Sequence, residues 1–151
     1  MERPMVRVPP PLIFAAGIGA GILLHNTWPL SFHFRPWTTS IGLALIALAL
    51  SWMLWALVCF RRARTTVSPF HASNALITAG PFGYSRNPLY LGLSVIQIGI
   101  GLASDNLWML LLLVPVVWLI QVAVITREEA FLQYKFGDDY QAYTQRVRRW
   151  F

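Results

Sequence analysis

The sequence predicts an all-α integral membrane protein of one domain. About four transmembrane helices are expected, the last two paired as a helical hairpin, with a long cytoplasmic loop and C-terminal amphipathic helices. Three observations predict this. Hydrophobic residues make up 56% of the 151 residues and charged residues only 12%, about half the charge of an ordinary soluble domain. Four apolar runs approach the length a helix needs to cross ~30 Å of hydrocarbon. The basic residues gather beside those runs, almost all on one side.

The first run covers residues 11–30, PLIFAAGIGAGILLHNTWPL. It is too long for a signal peptide and no small-residue cleavage site follows, so it is expected to be a retained span. The second, residues 40–60, is the clearest. The third, residues 89–103, is short, and the fourth is residues 107–126. Ser104-Asp105-Asn106 forms a tight turn between them. With the N-terminus in the cytoplasm, Arg3, Arg7, Arg61, Arg62, Arg64, Arg86, Arg127, Lys135, Arg146, Arg148 and Arg149 all lie inside, and only Arg35 outside. The positive-inside rule therefore favours four spans with both termini cytoplasmic.

Smaller features follow from the same reading. Gly17 and Gly21 give a small-xxx-small spacing, which fits close packing within the chain or a homodimer face; the first is the simpler reading. Pro115 should kink the fourth span. Gly137 suits a C′ residue in the left-handed conformation that ends a helix. Asp138 and Gln141 resemble a capping box for the next helix, whose Tyr140, Tyr143, Thr144 and Val147 lie on one face. Arg146, Arg148 and Arg149 are placed to reach phosphates of membrane lipids, with Trp150 at the interface.

Several functions are excluded. The net charge of +6 flanks apolar runs and forms no basic face with interleaved aromatics, so headgroups and not nucleic acid explain it. Cys59 is the single cysteine and the three histidines are scattered, so no disulfide and no metal site is expected. GPFG is neither GxGxxG nor a Walker loop. Ser94 lacks the second glycine of a nucleophile elbow. His25 and His33 fall at the outer rim, and His71 stands by itself in the cytoplasmic loop.

The polar chemistry collects in the cytoplasmic loop, residues 65–87, and in the tail, residues 127–151. A connection this long is usually functional or disordered, and its aromatic and apolar content argues against disorder. Glu128 and Glu129 are adjacent, so they point about 100° apart on a helix. They read either as an interfacial pair neutralised by Arg127, or as one acid turned inward to a cationic or hydroxyl-bearing ligand. Pro88 suits the first turn of a helix, and Asn87 before it suits the N-cap. Free N–H groups and Arg86 then make either an ordinary capped helix start or a site for a carboxylate or phosphate.

The ordered set Asn74-Ala75-Leu76-Ile77-Thr78-Ala79-Gly80-Pro81-Phe82, Ser85-Arg86-Asn87-Pro88-Leu89-Tyr90-Leu91-Gly92, a hairpin, Glu128-Glu129, Phe136-Gly137, Tyr140, Tyr143 and Arg146-Val147 resembles the isoprenylcysteine carboxyl methyltransferase family and the related membrane phospholipid methyltransferases. The resemblance covers residues 65–149. It implies an integral membrane methyltransferase using S-adenosyl-L-methionine at the cytoplasmic face, without metal. By position it implies cofactor contacts at Asn74, Ala75, Leu76, Ile77, Phe82, Asn87, Pro88, Leu89, Tyr90 and Glu128. Arg86 and Arg127 are candidates to orient an anionic acceptor.

The eukaryotic prenylcysteine enzymes carry His at the positions of Asn74 and Asn87, a tyrosine at that of Phe82, and a substrate-linked arginine at that of Val124. The leading expectation is methyl transfer to a lipophilic small molecule or lipid bearing a carboxylate, thiol or amine. The alternatives are phospholipid N-methylation, and a non-catalytic membrane module that keeps the motif for packing.

Overall fold

The computed structural model describes residues 8–34, 36–63 and 75–151. Arg3, Arg7, Arg35, Arg64, His71 and Asn74 lie outside the described residues. The described chain is helical throughout, without a strand. Helix α1 runs Pro10–Thr27, α2 Trp37–Arg62, α3 Pro88–Ala103, α4 Leu107–Ile120 and α5 Thr126–Arg146, with a 3-10 turn at Gly80–Gly83 and a π-helical segment at Gln121–Ile125 between α4 and α5. Among the described residues two helices are long and apolar enough to cross a membrane, where four spans are expected from the sequence: Trp37–Arg62, and the continuous helix Leu107–Arg146 that contains the π-helical segment.

Small residues set how the helices meet. A Cβ on Gly17 would lie 2.6 Å from Val116 Cγ2, and one on Gly21 would lie 2.8 Å from Met109 Cγ. The Gly17–Gly21 spacing thus serves packing of α1 on α4 within the chain. Gly19, between them, has nothing within 4 Å of its Cβ position. Helices α2 and α3 approach closer still: a Cβ on Gly42 would strike the Gly99 carbonyl and lie 2.6 Å from Ala103 N, and one on Gly99 would lie 2.8 Å from the Gly42 carbonyl. At the other end of the same contact Gly92 faces Met53, whose Sδ would lie 2.8 Å from an added Cβ.

These pairings run in opposite directions along each helix, so the bundle is up-down-up-down. Pro10, Arg62, Pro88 and the π-helical segment share one end. Thr27, Trp37, Ala103 and Leu107 share the other. Among the described residues every Lys and Arg lies at or beyond the first end. Around the belt between the ends, α2 exposes Leu43, Leu48 and Leu54, and α4 exposes Val114 and Trp118. These are large exposed apolar side chains, a surface of the kind that marks contact with a membrane or another apolar partner.

The core is correspondingly thin. Ile13 and Phe14 of α1 pack on Val116, Ile120, Val124 and Ile125, with Tyr90 and Trp150 against that cluster. Polar side chains tie the far end. Asn106 Nδ2 donates to the Gly21 carbonyl (3.0 Å), Trp108 Nε1 to the Trp28 carbonyl (2.8 Å), and Asp105, at φ 55°, accepts from Phe32 N–H (2.8 Å). The tight turn at 104–106 therefore forms as its sequence indicates. Pro115 sits inside α4 on its exposed side, and the break in α-helical hydrogen bonding falls further along, in the π-helical segment. Gly137 divides α5 into two pieces with φ 50° and ψ −119°: the φ is positive, but the ψ lies outside the expected left-handed helical region, in a conformation open to glycine at no steric cost. Tyr140, Tyr143 and Val147 of the second piece are buried together with Leu76, Leu132 and Phe136 packed on them.

The glycine contacts yield a test. Gly42→Ala should lower the melting temperature in detergent, by the ~1–3 kcal/mol that overpacking costs, while Gly19→Ala leaves it unchanged or slightly raised. Equal melting temperatures for the two variants would mean that α2 and α3 do not approach this closely.

Candidate active site

The first wall of the site is the segment from the 3-10 turn into α3. Gly80 adopts φ 62° directly beneath α2, where a Cβ would lie 2.7 Å from Cys59 Sγ; a side chain is excluded on both counts. The Pro81 carbonyl accepts from the N–H groups of Tyr84 and Ser85 (3.1 Å each), turning the chain sharply. Phe82 is buried, edge-on to Phe60 with ring centres 5.2 Å apart. Its carbonyl accepts from the Tyr143 hydroxyl at 2.7 Å, which joins this wall to the second half of α5. Trp52 Nε1 donates to the Pro88 carbonyl (3.0 Å), fixing the start of α3 to α2.

Asn87 does not cap α3. It makes no side-chain bond to the helix N-terminus; instead its Nδ2 donates to the Arg149 carbonyl at 2.9 Å. Its N–H donates to Ser85 Oγ at 3.1 Å, and Ser85 Oγ donates in turn to the Arg149 carbonyl at 3.4 Å. The reason is competition. A carbonyl from beyond α5 reaches the buried Asn87 amide, and an amide donor satisfies it where a cap would need the side-chain oxygen. Pro88 does occupy the first turn, and Asn87 is buried with it.

The two acids have different surroundings. Glu129 is clasped from both sides: Arg86 Nη1 is 3.0 Å from its Oε1, and Arg149 donates from Nη2 to Oε2 (2.6 Å) and from Nε to Oε1 (3.0 Å). These two cations come from before α3 and after α5; Arg127, next to Glu129 in sequence, is exposed at the start of α5. Hydrogen bonding to Glu129 holds the Arg149 guanidinium above its usual range. Arg149, expected to reach toward phosphates, is turned back onto the protein.

Glu128 lies past the apolar stretch of α4, partly buried, and its Oε1 accepts from the Tyr90 hydroxyl at 2.7 Å. Burial pushes its carboxyl up to about 7; the Tyr90 hydrogen bond opposes this and the charge on Glu129 adds to it. A desolvated carboxylate facing a neutral phenol, with a second carboxylate next to it, favours a ligand that brings hydroxyls or positive charge.

The structure thus gathers Phe82, Asn87, Pro88, Tyr90, Glu128 and Arg86 at one end of the bundle. Leu76 packs on the Tyr140–Tyr143–Val147 cluster, with Ala75, Ile77 and Leu89 half-buried nearby in sequence. Val124 is buried in the α1–α4 core with Ile13 and Phe14. Sequence reasoning missed Ser85, Trp52, and the pair Trp150–Gln121, whose side chains bond at 3.1 Å. It also missed the inward turn of Arg149. Spacing alone does not distinguish Arg149 from Arg148 beside it.

Comparison with known proteins bears on this arrangement. The sequence model of the phospholipid methyltransferase family matches residues 37–139. A protein-S-isoprenylcysteine O-methyltransferase of Schizosaccharomyces pombe is 36% identical over 72 residues, which is 48% of this chain and 30% of the yeast protein. An uncharacterized protein of Haemophilus influenzae is 39% identical over 62 residues, 41% of this chain and 98% of that protein. The matched stretch therefore spans less than a third of the yeast enzyme's length. No solved structure matches significantly. The matched region runs from the first residue of α2, through the Arg86-Asn87-Pro88 turn and the paired glutamates, to just beyond Gly137, and on this match the chain belongs to the phospholipid methyltransferase family.

Proposed function

We propose that this protein is a membrane-embedded methyltransferase that takes its methyl group from S-adenosylmethionine and transfers it to a lipophilic acceptor arriving from the bilayer. The observation that carries the reading is Glu128: a partly buried carboxylate under the Tyr90 hydroxyl, at the start of α3, inside the region the family shares.

The donor set fits the group. S-adenosylmethionine, when bound, would supply an electrophilic sulfonium methyl, with the neutral thioether of S-adenosylhomocysteine as the leaving group. Glu128 accepts hydrogen bonds from ribose hydroxyls or the ammonium. The start of α3, where Pro88 leaves no N–H to satisfy and the next amides point outward, suits a carboxylate. Phe82 and Leu76 belong to the apolar wall that would cover the adenine. Because Glu129 is already paired, Glu128 is the acid left to the ligand. The chain's contribution to rate is then positioning and exclusion of water. A carboxylate or thiolate acceptor needs no base; Arg86, whose buried Nε has no hydrogen-bond partner, and Arg127, next to Glu128 in sequence, are the candidates to orient an anionic one.

A phospholipid amine is the second acceptor reading. The specific observation favouring it is Val124. The prenylcysteine enzymes resemble this chain but carry a substrate-linked arginine there, whereas here the position is apolar and buried against α1. The bundle end that holds Glu128 also holds every described cation, so this face is assigned to the cytoplasm.

Three measurements test the reading. S-adenosylhomocysteine at millimolar concentration should raise the melting temperature of the detergent-solubilised protein, and labelled methyl should pass from S-adenosylmethionine into membrane extracts. No shift and no transfer would sink the enzyme reading, and label in phosphatidylethanolamine derivatives would select the second acceptor.

Glu128→Gln should weaken S-adenosylhomocysteine binding at least tenfold, a loss of about 1.4 kcal/mol, without lowering stability. The sign follows from linkage. The folded-state value of about 7 lies above the ordinary 4.5, so this group's contribution to stability falls as pH rises from about 4.5 to about 7 and stays low above that. Above neutral pH the variant should therefore melt no lower than the native protein; a lower melting temperature would make Glu128 a structural residue. For sidedness, with Cys59 replaced by Ala, a cysteine at Ser104 should react with an impermeant maleimide from outside intact cells and one at Gln133 should not; the reverse pattern would invert the topology.

A further inference from the structure

The residues that follow α5 bind back across the start of α3. The Arg148 carbonyl accepts from Arg86 N–H at 3.1 Å. The Arg149 carbonyl accepts from Asn87 Nδ2 at 2.9 Å and Ser85 Oγ at 3.4 Å, and Trp150 Nε1 donates to Gln121 Oε1 in the π-helical segment. These bonds hold Arg149 by its backbone, so its side chain returns to α5 and meets both oxygens of Glu129. Arg86 meets the same carboxylate from the opposite side.

We propose that Arg149 is a positioning residue of the ligand site: fixed by its own carbonyl to Asn87 and Ser85, it clamps Glu129 against Arg86 and leaves Glu128 as the one acid presented to Tyr90 and the ligand. This rests on the reading of Glu128 as a ligand contact. A bidentate guanidinium–carboxylate pair fixes orientation as well as charge, and a lysine at this place would supply the charge without the fork.

The charged and titratable groups around the two acids come from every adjoining element. Glu128 faces Tyr90 of α3 and has Arg127 and Glu129 beside it in sequence. Glu129 faces Arg86, Arg149 and the Tyr140 phenol. With Arg149 removed, the Glu129 carboxylate loses its closest partner, and its repulsion of a Glu128 carboxylate grows. Loss of mere scaffolding would not do this; it would weaken ligand binding at all pH values alike.

The test follows the protonated-carboxyl infrared band that Glu128→Gln removes, in ligand-free full-length protein, across pH. In Arg149→Met the midpoint of this band should rise by ~1 pH unit, a tenfold change in the proton equilibrium. Arg149→Lys should fall between this variant and the native protein. Adding Glu129→Gln to Arg149→Met should bring the midpoint back, which also shows that the variant is folded. S-adenosylhomocysteine affinity near neutral pH should fall about tenfold in Arg149→Met and recover in the double variant. A midpoint unmoved by Arg149→Met, or an affinity loss that Glu129→Gln does not repair, would overturn the assignment. Native protein that binds no S-adenosylhomocysteine overturns the cofactor reading instead, and the infrared titration still decides what Arg149 does to Glu128.

Discussion

The start of α3 is held by a carbonyl that belongs to the far end of the chain. Asn87 gives its amide to Arg149, and from that bond the geometry of the site unfolds in both directions. Toward α3, it fixes Arg86, Pro88 and, one turn in, Tyr90. Toward α5, it fixes the Arg149 side chain on Glu129 and so sets which of two adjacent acids is free. A net hydrogen bond is worth about 1 kcal/mol, but leaving a buried partner unpaired costs about 1–3 kcal/mol. Ser85, Asn87 and the Arg149 carbonyl are buried or partly buried together, so the arrangement is held less by what the bonds contribute than by what breaking them would cost.

The same accounting explains why the site stands at the end of the bundle. The helices have a thin shared core, and much of α2 and α4 exposes apolar side chains. A belt lying in hydrocarbon would offer no water to a broken backbone, and along it the chain stays helical. α2 and α3 approach so closely that glycines are required at Gly42 and Gly99. At the end of the belt the chain can turn. There the 3-10 turn, the start of α3, the π-helical segment and the residues after α5 converge, each irregular and each satisfied by another. π-Helical segments are frequent at functional sites because they free backbone and side-chain groups to face elsewhere, and here Gln121 uses that freedom to receive Trp150.

How much of this was legible in the sequence depended on range. The helices were, because hydropathy acts locally: residues 40–60 fall inside Trp37–Arg62, 89–103 inside Pro88–Ala103, and the turn at 104–106 lies where Asp105 accepts a positive φ. Gly137 was legible for the same reason, and so was the buried face at Tyr140, Tyr143 and Val147. Asn87 was misread because capping is a rule about neighbours, and its partner lies 62 residues away. One of the two readings of the acids, a pair neutralised by Arg127, rests on adjacency; the fold adds Arg86 and Arg149, which reach Glu129 from distant parts of the sequence. The glycines of α2 and α3 lack the spacing that marked Gly17 and Gly21, and only the packing of the two helices picks them out.

The contrast between the two glutamates bears on what kind of site this is. A protein that needed acids here only to settle its own charges would pair both, since an unpaired partly buried carboxylate weakens the fold. This chain pairs Glu129 twice and places Glu128 against a phenol, where burial raises its proton affinity to about neutral. Such a group is costly to the empty protein and becomes favourable when something donates to it. The donor must offer hydroxyls or a cation, must fit between the start of α3 and α5, and must reach a surface bounded by apolar helix faces. The cofactor proposed above, with its ammonium and ribose hydroxyls, would meet the first two demands, and the proposed lipid acceptor would reach such a surface. If Glu128 is the ligand contact proposed above, its desolvation is stability given up in the empty protein for binding energy in the loaded one, the trade expected where a membrane protein keeps an ionisable group near its interior.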